Sequence, residues 1–85
     1  MASYSLFLKP SAAKELEVLP SAQRRRVVTR IRGLATEPRP PGSEKLSGEE
    51  KYRVRQGTYR VLYTIDDTKR KVVVVKIAHR RDVYR

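Results

Sequence analysis

The sequence predicts an α+β domain in which an N-terminal strand and two helices precede three strands of a small, mostly antiparallel sheet. Three observations carry this prediction. Two segments with helical apolar spacing come early, three β-prone segments joined by short turns come late, and the chain has only 85 residues. A chain of this length buries a single core. We therefore expect one domain over residues 1–85, with both helices on one face of the sheet and the other face open.

The first strand and the first helix are separated by a proline. The stretch Tyr4–Leu8 is β-prone and stops at Pro10, because proline cannot continue a strand ladder. Ser11 is expected to cap a short helix that runs to Leu19, since apolar residues recur there with helical spacing. The pattern does not fix where the first strand joins the sheet.

The second helix is strongly basic. It is expected to open at Pro20–Ser21 and to end near Thr36, before Pro38. Its polar faces carry five arginines: Arg24, Arg25, Arg26, Arg30 and Arg32. These arginines either solvate the helix or meet an acidic partner protein or the phosphates of a large RNA. The proline-rich segment 37–43 that follows is predicted to be an irregular loop.

Three strands are predicted in the second half: Tyr52–Gln56, Thr58–Ile65 and Lys71–His79. Asp66–Arg70 forms the turn between the last two. A two-residue loop at Gly57–Thr58 suits a type II′ turn, which has glycine at its first central position.

This register places Arg55 opposite Arg60 and Val54 opposite Val61. Arg53, Arg55 and Arg60 then share one face of the sheet. Like charges placed directly opposite each other destabilise a sheet, so folding alone does not favour this pattern. The arginines are interpreted either as a clamp for phosphates or as a solvated strand face whose arginine stems cover apolar surface.

Composition favours an anionic partner. The net charge is +11, with 20 Lys and Arg against 9 Asp and Glu, and the C-terminal part carries most of the excess. Arginine forms bidentate contacts with phosphate, so nucleic acid leads the list of partners. Without cysteine and with a single histidine, the chain offers no metal-ligand cluster, and we expect no cofactor. We also expect a cytoplasmic location with no membrane span.

For the remaining polar residues the sequence predicts structural roles or leaves two roles open. His79 is interpreted as a structural or exposed residue, and Tyr84 either contacts nucleic acid or pins the chain end. The acidic residues have no histidine partners or metal spacing, so they are assigned to loops and turns: Glu44, Glu49, Glu50, Asp66 and Asp67.

Five segments in order resemble the RelE branch of the RelE/ParE toxin superfamily. They are Glu37-Pro38-Arg39, Lys45-Leu46-Ser47-Gly48, Tyr52-Arg53-Val54-Arg55, Gly57-Thr58-Tyr59-Arg60-Val61-Leu62-Tyr63 and His79-Arg80-Arg81-Asp82-Val83-Tyr84. The resemblance implies a toxin of a type II toxin-antitoxin system that enters the ribosomal A site and cuts the mRNA there by attack of a 2′-OH on the adjacent phosphate. It also implies silencing by a cognate RelB-like antitoxin.

The resemblance supplies roles for five catalytic residues. Arg53 and Arg55 take the places of basic residues that contact the mRNA and the scissile phosphate, and Arg60 that of the arginine that stabilises the transition state. Arg80 matches the basic residue after the last strand, and Tyr84 the C-terminal tyrosine.

The chain has arginines at 53 and 55 where the best-known member of the family has lysines. Arginine is not deprotonated in proteins and cannot act as a general base. Tyr84 is therefore the expected proton carrier, with His79 in reserve. Two alternatives stay open: a ParE-like inhibitor of DNA gyrase without nuclease activity, and a non-catalytic basic RNA-binding domain.

Overall fold

The computed structural model of the chain describes residues 3–46, 48 and 50–82, which form five strands, two helices and a closing turn of 3₁₀ helix. In chain order the elements are β1 (Ser5–Leu8), α1 (Pro10–Glu17), α2 (Ser21–Gly33), β2 (Glu44–Lys45), β3 (Tyr52–Gln56), β4 (Tyr59–Asp66), β5 (Lys71–His79) and the 3₁₀ turn Arg80–Asp82. The α+β class predicted from the sequence is confirmed.

The five strands form a single sheet in the order β1-β5-β4-β3-β2. Strand β1 lies parallel to β5, with Phe7 opposite Val73, and every other neighbouring pair is antiparallel. The first strand therefore joins the sheet beside the last one, at the edge. This placement follows from the crossover through both helices, which the sequence pattern did not determine.

The core lies between the helices and one face of the sheet. Helix α1 packs against β5, and α2 packs against β3 and β4. Val54, Val61 and Tyr63 are fully buried on this face. They pack with residues from the helices and from β5: Ala12, Leu19, Val27, Ile31, Leu34, Val72, Val74 and Ile77. Both helices thus cover one face of the sheet, as predicted.

The ends of both helices differ from the sequence prediction. Helix α1 begins at Pro10 rather than after a Ser11 cap, because the fixed φ of proline suits the first helical turn and its missing N–H is not needed there. It ends at Glu17, before Leu19. Helix α2 ends at Gly33 instead of near Thr36, and the chain continues as a turn.

Two predictions about the other face were wrong in part. Glu44 lies in a strand, not in a loop, because the two residues of β2 pair with Tyr52 and Arg53. The face opposite the helices is also less open than expected, since Arg53 and Leu62 are only 6% and 8% exposed. These two residues lie opposite each other on β3 and β4.

Candidate nucleic-acid interface

The hairpin of β3 and β4 brings the arginines together in the predicted register. Gln56 pairs with Tyr59, Arg55 with Arg60 and Val54 with Val61, so Gly57–Thr58 forms a two-residue loop. Gly57 has φ +60°, the left-handed value that the first position of a type II′ turn requires. The turn thereby fixes which side chains share each face. We call the face opposite the helices, with Arg53, Arg55 and Arg60, the arginine face.

Arg60 lies at the centre of the arginine face. On the neighbouring strand β5, the residue paired with Arg60 is Ala78, whose side chain is small. Burial lowers the pKa of the Arg60 guanidinium, and the charges of Arg55, Arg53 and Arg80 lower that pKa further. The guanidinium nevertheless keeps its proton at ordinary pH, as arginines in proteins do. Four positive charges are therefore held close enough to repel one another.

The Nε atom of Arg60 is the notable polar atom of this face. Among the described residues it is the one buried side-chain nitrogen or oxygen without a hydrogen-bond partner. A buried donor left unpaired costs about 1–3 kcal/mol. An anionic oxygen bound on this face would satisfy the donor and offset the repulsion between the arginines.

Arg53 is held by a carboxylate that the sequence analysis placed in a loop. Its guanidinium donates to Glu44 Oε2 across the β2–β3 pair, and the two residues are in register. The side chain of Arg53 is 8% exposed and that of Glu44 is 61% exposed. The Glu44 side chain thus remains accessible to solvent at the edge of the arginine face.

Glu44 is the functional candidate that sequence reasoning missed. A two-residue strand has no periodicity to detect, and three glutamates precede β3 within a few positions. The available signal was electrostatic: two arginines on one strand face favour a neighbouring carboxylate. That signal did not distinguish Glu44 from Glu49 or Glu50.

The residues after β5 were predicted to complete the site. Arg80 opens the 3₁₀ turn, and its N–H donates to Thr58 O at 2.7 Å, which ties the turn to the loop of the hairpin. Arg80 therefore lies near Arg60. Tyr84 lies outside the described residues.

His79 lies away from the arginine face. It pairs with Tyr59, packs edge-on against that ring at 5.7 Å, and accepts a hydrogen bond at Nδ1 from the Arg81 N–H. Tyr59 packs against the core between the sheet and the helices. The structural reading of His79 thus fits its contacts, and this residue is not positioned to act on a phosphate held by Arg60.

A separate network attaches the proline-rich loop to the sheet. Arg39 forms a two-bond ion pair with Asp67 at 2.9 and 3.2 Å and lies over the ring of Tyr52 at 5.2 Å. Tyr4 OH donates to the same carboxylate at 2.7 Å. The hydrogen bonds from Arg39 and Tyr4 hold the pKa of Asp67 at about 2. We call Tyr4, Arg39, Tyr52 and Asp67 the clasp.

Tyr63 extends the clasp into the core. Its hydroxyl donates to Pro38 O at 2.7 Å, and its ring stacks on Tyr52 at 5.9 Å. Burial raises the pKa of Tyr63 to about 12, so its hydroxyl remains a donor. The loop that leads into Glu44 is therefore attached to the sheet at both Pro38 and Arg39.

The arginine face has the chemistry of a phosphate site. It holds fixed positive charge, one unpaired buried donor and one carboxylate, and the part of the chain that the structure describes contains no cluster of residues that could bind a metal ion. None of the helices formed by the described residues is long and apolar enough to cross a membrane.

Comparison with known proteins decides the family. Residues 6–84 match the family described as ParE toxin of type II toxin-antitoxin system, parDE. The chain belongs to the RelE/ParE superfamily of type II toxins. Toxin RelG of Mycobacterium tuberculosis is a curated relative of this RelE/ParE toxin, with 36% identity over 96% of this chain and 97% of RelG.

Solved structures of similar proteins share the fold of this RelE/ParE toxin. The toxin-antitoxin complex RelBE2 from M. tuberculosis matches with a TM-score of 0.81 at 31% identity, covering 91% of this chain and 98% of that one. The archaeal RelE-RelB complex from Pyrococcus horikoshii matches with a TM-score of 0.84 at 29% identity, covering 95% and 99%. The isolated E. coli RelE toxin matches with a TM-score of 0.81 at 28% identity, covering 96% and 92%.

Proposed function

We propose that this toxin is an endoribonuclease that cuts mRNA in the ribosomal A site without a metal ion. The observation that carries the proposal is Arg60, with a buried and unpaired Nε in the middle of three further arginines. Such a cluster destabilises the fold, because its positive charges repel one another. The same charges can stabilise a bound group that gains negative charge during a reaction. A phosphate attacked by a neighbouring hydroxyl is such a group.

The proposed reaction is an internal transfer within the RNA. The 2′-oxygen of a ribose forms a bond to the adjacent phosphorus, and the bond from phosphorus to the 5′-oxygen of the next nucleotide breaks. The products are a cyclic phosphate and a 5′-OH. One proton leaves the attacking hydroxyl and one proton joins the leaving oxygen.

The arginines have distinct roles in this reaction. Arg60 donates from Nε and its terminal nitrogens to the oxygens of the pentacoordinate phosphate, where each preorganised donor contributes about 3–4 kcal/mol. Arg55 and Arg80 flank Arg60 and neutralise the neighbouring backbone. Arg53, buried and paired, fixes Glu44 at the edge of the site and adds its charge to the cluster.

Glu44 is the proposed acceptor of the 2′-OH proton. Among the described residues it is the carboxylate that forms an ion pair with the arginine cluster, and this pair with Arg53 orients it while 61% of the Glu44 side chain stays exposed. Tyr84 is retained as the proposed proton donor to the leaving oxygen. A positioned acid or base contributes roughly 10²–10⁴ in rate.

The partners follow from the same chemistry. A cognate antitoxin with an acidic segment could cover the arginine face and block the phosphate site; relatives of similar structure were solved as RelE-RelB complexes. The ribosome would position the mRNA and so supply part of the catalysis. Action on ribosomes implies a cytoplasmic location.

A second function is favoured by the match to the ParE toxin family. A ParE-like inhibitor of DNA gyrase would bind its target as a protein and leave RNA intact. The unpaired Nε of Arg60 favours the nuclease, because a phosphate oxygen can accept a hydrogen bond from this donor and carries the negative charge that offsets the repulsion between the arginines. A non-catalytic RNA-binding domain would explain the charge but not the position of Glu44.

The test is 5′-end mapping of a defined mRNA in a reconstituted translation reaction. Wild-type protein should cut within the A-site codon, and Arg60→Ala should abolish those cuts. Lys69→Ala, in the exposed turn between β4 and β5, is the control that removes one positive charge elsewhere. Intact mRNA with wild-type protein, together with inhibited supercoiling by gyrase, would establish the second function instead.

A further inference from the structure

A buried tyrosine on the core face of the sheet is bonded to the loop that leads into Glu44. Tyr63 is fully buried, on the face of β4 opposite the arginine face. Its hydroxyl donates a hydrogen bond to Pro38 O at 2.7 Å. Burial raises the pKa of Tyr63, and a hydrogen bond with the Ser43 side chain offsets part of this rise. One hydroxyl group therefore joins the two ends of the segment 38–43.

The chain between Pro38 and Ser43 contains a tight turn. The N–H of Ser43 donates to Pro40 O at 2.9 Å, and Gly42 has φ +89°. With Pro41 before it, this glycine gives the turn the sequence of type II, in which the third residue needs a positive φ. Two of the four turn residues are prolines, whose rings fix their φ angles. The turn is therefore a stiff connection from the core to the start of β2.

Strand β2 is too short to fix Glu44 by itself. It has two residues, and its pairs with β3 are Glu44 with Arg53 and Lys45 with Tyr52. So short a strand forms few ladder hydrogen bonds, and the backbone at Glu44 depends on the chain on either side of it. On the preceding side, that chain is the turn bonded to Tyr63.

The packing of the core does not account for the hydroxyl of Tyr63. Its ring packs among apolar side chains and stacks on Tyr52, and a phenylalanine ring would fill the same space. Burying a hydroxyl destabilises a protein unless the group is hydrogen-bonded. Here both of its bonds end on the loop that leads into Glu44. The hydroxyl is therefore explained by what it holds in place.

We propose that Tyr63 is a positioning residue, whose hydroxyl holds the turn 40–43 so that the Glu44 carboxylate lies where it accepts the 2′-OH proton. This inference rests on the proposed function, in which Glu44 is that acceptor. Tyr63 lies on the other side of the sheet from the arginine face, so it cannot contact RNA bound there. It acts on the reaction through the turn and the short strand β2.

The experiment compares Tyr63→Phe with wild type in single-turnover cleavage of mRNA on ribosomes, over a range of toxin concentrations. The substitution removes one oxygen atom, keeps the ring in the core and leaves the net charge unchanged. Tyr59→Phe is the matched control, because Tyr59 lies on the same strand and its ring packs against His79. Each variant is also made together with Glu44→Gln. Thermal unfolding checks that every protein is folded at the assay temperature, and Ser43→Ala removes the second bond if Tyr63→Phe does not fold.

Tyr63→Phe should lower the maximal cleavage rate by about tenfold or more, because a displacement of about 1 Å at a reacting group can cost about 10²-fold. The toxin concentration that gives half the maximal rate should stay within about twofold of wild type, since the arginine face is intact. Combined with Glu44→Gln, the same substitution should have no further effect. Tyr59→Phe should cleave at the wild-type rate. An equal loss with and without Glu44→Gln would overturn the proposal, because Tyr63 would then act through the fold in general.

Amide hydrogen exchange tests the positioning without cleavage. In Tyr63→Phe the N–H groups of Ser43 and Leu46, which are hydrogen-bonded on either side of β2, should exchange about tenfold faster than in wild type. The N–H of Lys9, hydrogen-bonded at the far edge of the sheet, should exchange as in wild type. No cleavage by wild-type protein would overturn the proposed function. Cleavage by wild type, with unchanged rate and exchange in Tyr63→Phe, would overturn the positioning role alone.

Discussion

At the scale of single residues, Glu44 has the most specific consequence for the proposed reaction. If it accepts the 2′-OH proton, Glu44→Gln should lower single-turnover cleavage on ribosomes by roughly 10²–10⁴. The amide can still accept a hydrogen bond from Arg53, so the arginine face should stay in place. The measurement is the cleavage rate at saturating toxin, with thermal unfolding as the check on folding.

Glu50→Gln is the matched control for this substitution. Glu50 also pairs with a cation, Lys45, but its side chain is 91% exposed and the pair lies outside the arginine face. Its removal should leave cleavage within about twofold, as surface ion pairs contribute little. A wild-type rate for Glu44→Gln would remove Glu44 from the mechanism and leave the proton acceptor to the ribosome or the RNA.

The clasp predicts a dependence of stability on pH. The pKa of Asp67 is lowered to about 2 in the folded protein by hydrogen bonds from Arg39 and Tyr4. A carboxyl whose pKa is lower when folded stabilises the protein above its unfolded pKa, near 4, and loses that contribution as pH falls towards 2. The difference in free energy of unfolding between wild type and Asp67→Asn should therefore be constant above about pH 5 and shrink steadily below it.

Urea titrations at a series of pH values measure this difference. Glu37→Gln, at an exposed position after α2, is the control that removes a carboxylate outside the clasp. A difference between wild type and Asp67→Asn that persists unchanged at pH 2 would show that the Asp67 carboxylate does not hold the clasp.

At the scale of elements, the β3–β4 hairpin decides whether the arginines share a face. Gly57 has φ +60°, so Gly57→Ala forces a side chain into a left-handed conformation and should destabilise the protein by about 1 kcal/mol. Any rearrangement of the loop also disturbs the pairing of Arg55 with Arg60, so cleavage should fall more than the stability loss explains. Thermal unfolding and 5′-end mapping on the same variant measure the two effects.

Gly33→Ala gives the opposite expectation at the end of α2. Its φ is not left-handed, and a Cβ there would meet nothing within 4 Å. The substitution should stabilise the protein by about 0.4–1 kcal/mol, because alanine restricts the unfolded chain. Cleavage should remain at the wild-type level. If both glycine variants lost activity equally, the register of the hairpin would not be what positions the arginines.

The elements also show which features a sequence can reveal. The hairpin register was predictable because a two-residue loop with glycine permits few turn geometries, and alternation then assigns every face. Strand β2 was not predictable, because two residues carry no period and their pairing depends on Arg53 elsewhere in the chain. The start of α1 was missed because Ser11 resembles a cap, whereas Pro10 occupies the first helical position and Lys9 precedes it without a side-chain cap.

At the scale of the whole molecule, the residues that stabilise the fold and the residues proposed to act on RNA lie on opposite faces of the sheet. One face carries the apolar residues that form the core, and the other carries the arginines and Glu44. The sequence predicted this division from the alternation of Val54 and Arg55 along one strand. It did not predict the burial of Arg53 or the parallel edge position of β1, since both depend on contacts between distant segments.

The charge of the whole molecule predicts how its stability depends on salt. The net charge is +11, and the molecule measures 33 × 28 × 25 Å. At 0.01 M salt the Debye length is about 30 Å, so nearly all the positive charges repel one another across the protein. At 0.15 M the Debye length is about 8 Å, and only neighbouring charges repel one another.

Because this repulsion opposes the compact state more than the expanded one, the midpoint of thermal unfolding should rise by several degrees, corresponding to about 1 kcal/mol, between these two concentrations. Arg55 and Arg60 are paired on neighbouring strands, and Arg60 is partly buried, so the repulsion between these two charges is screened least. Arg60→Gln should therefore raise the midpoint at both concentrations and leave the salt-dependent increment nearly unchanged. Differential scanning calorimetry of wild type and Arg60→Gln at both concentrations tests the two statements together. A lower midpoint for Arg60→Gln at both concentrations would mean that Arg60 stabilises the fold, and the argument that this residue is kept at a cost to folding in order to bind phosphate would fail.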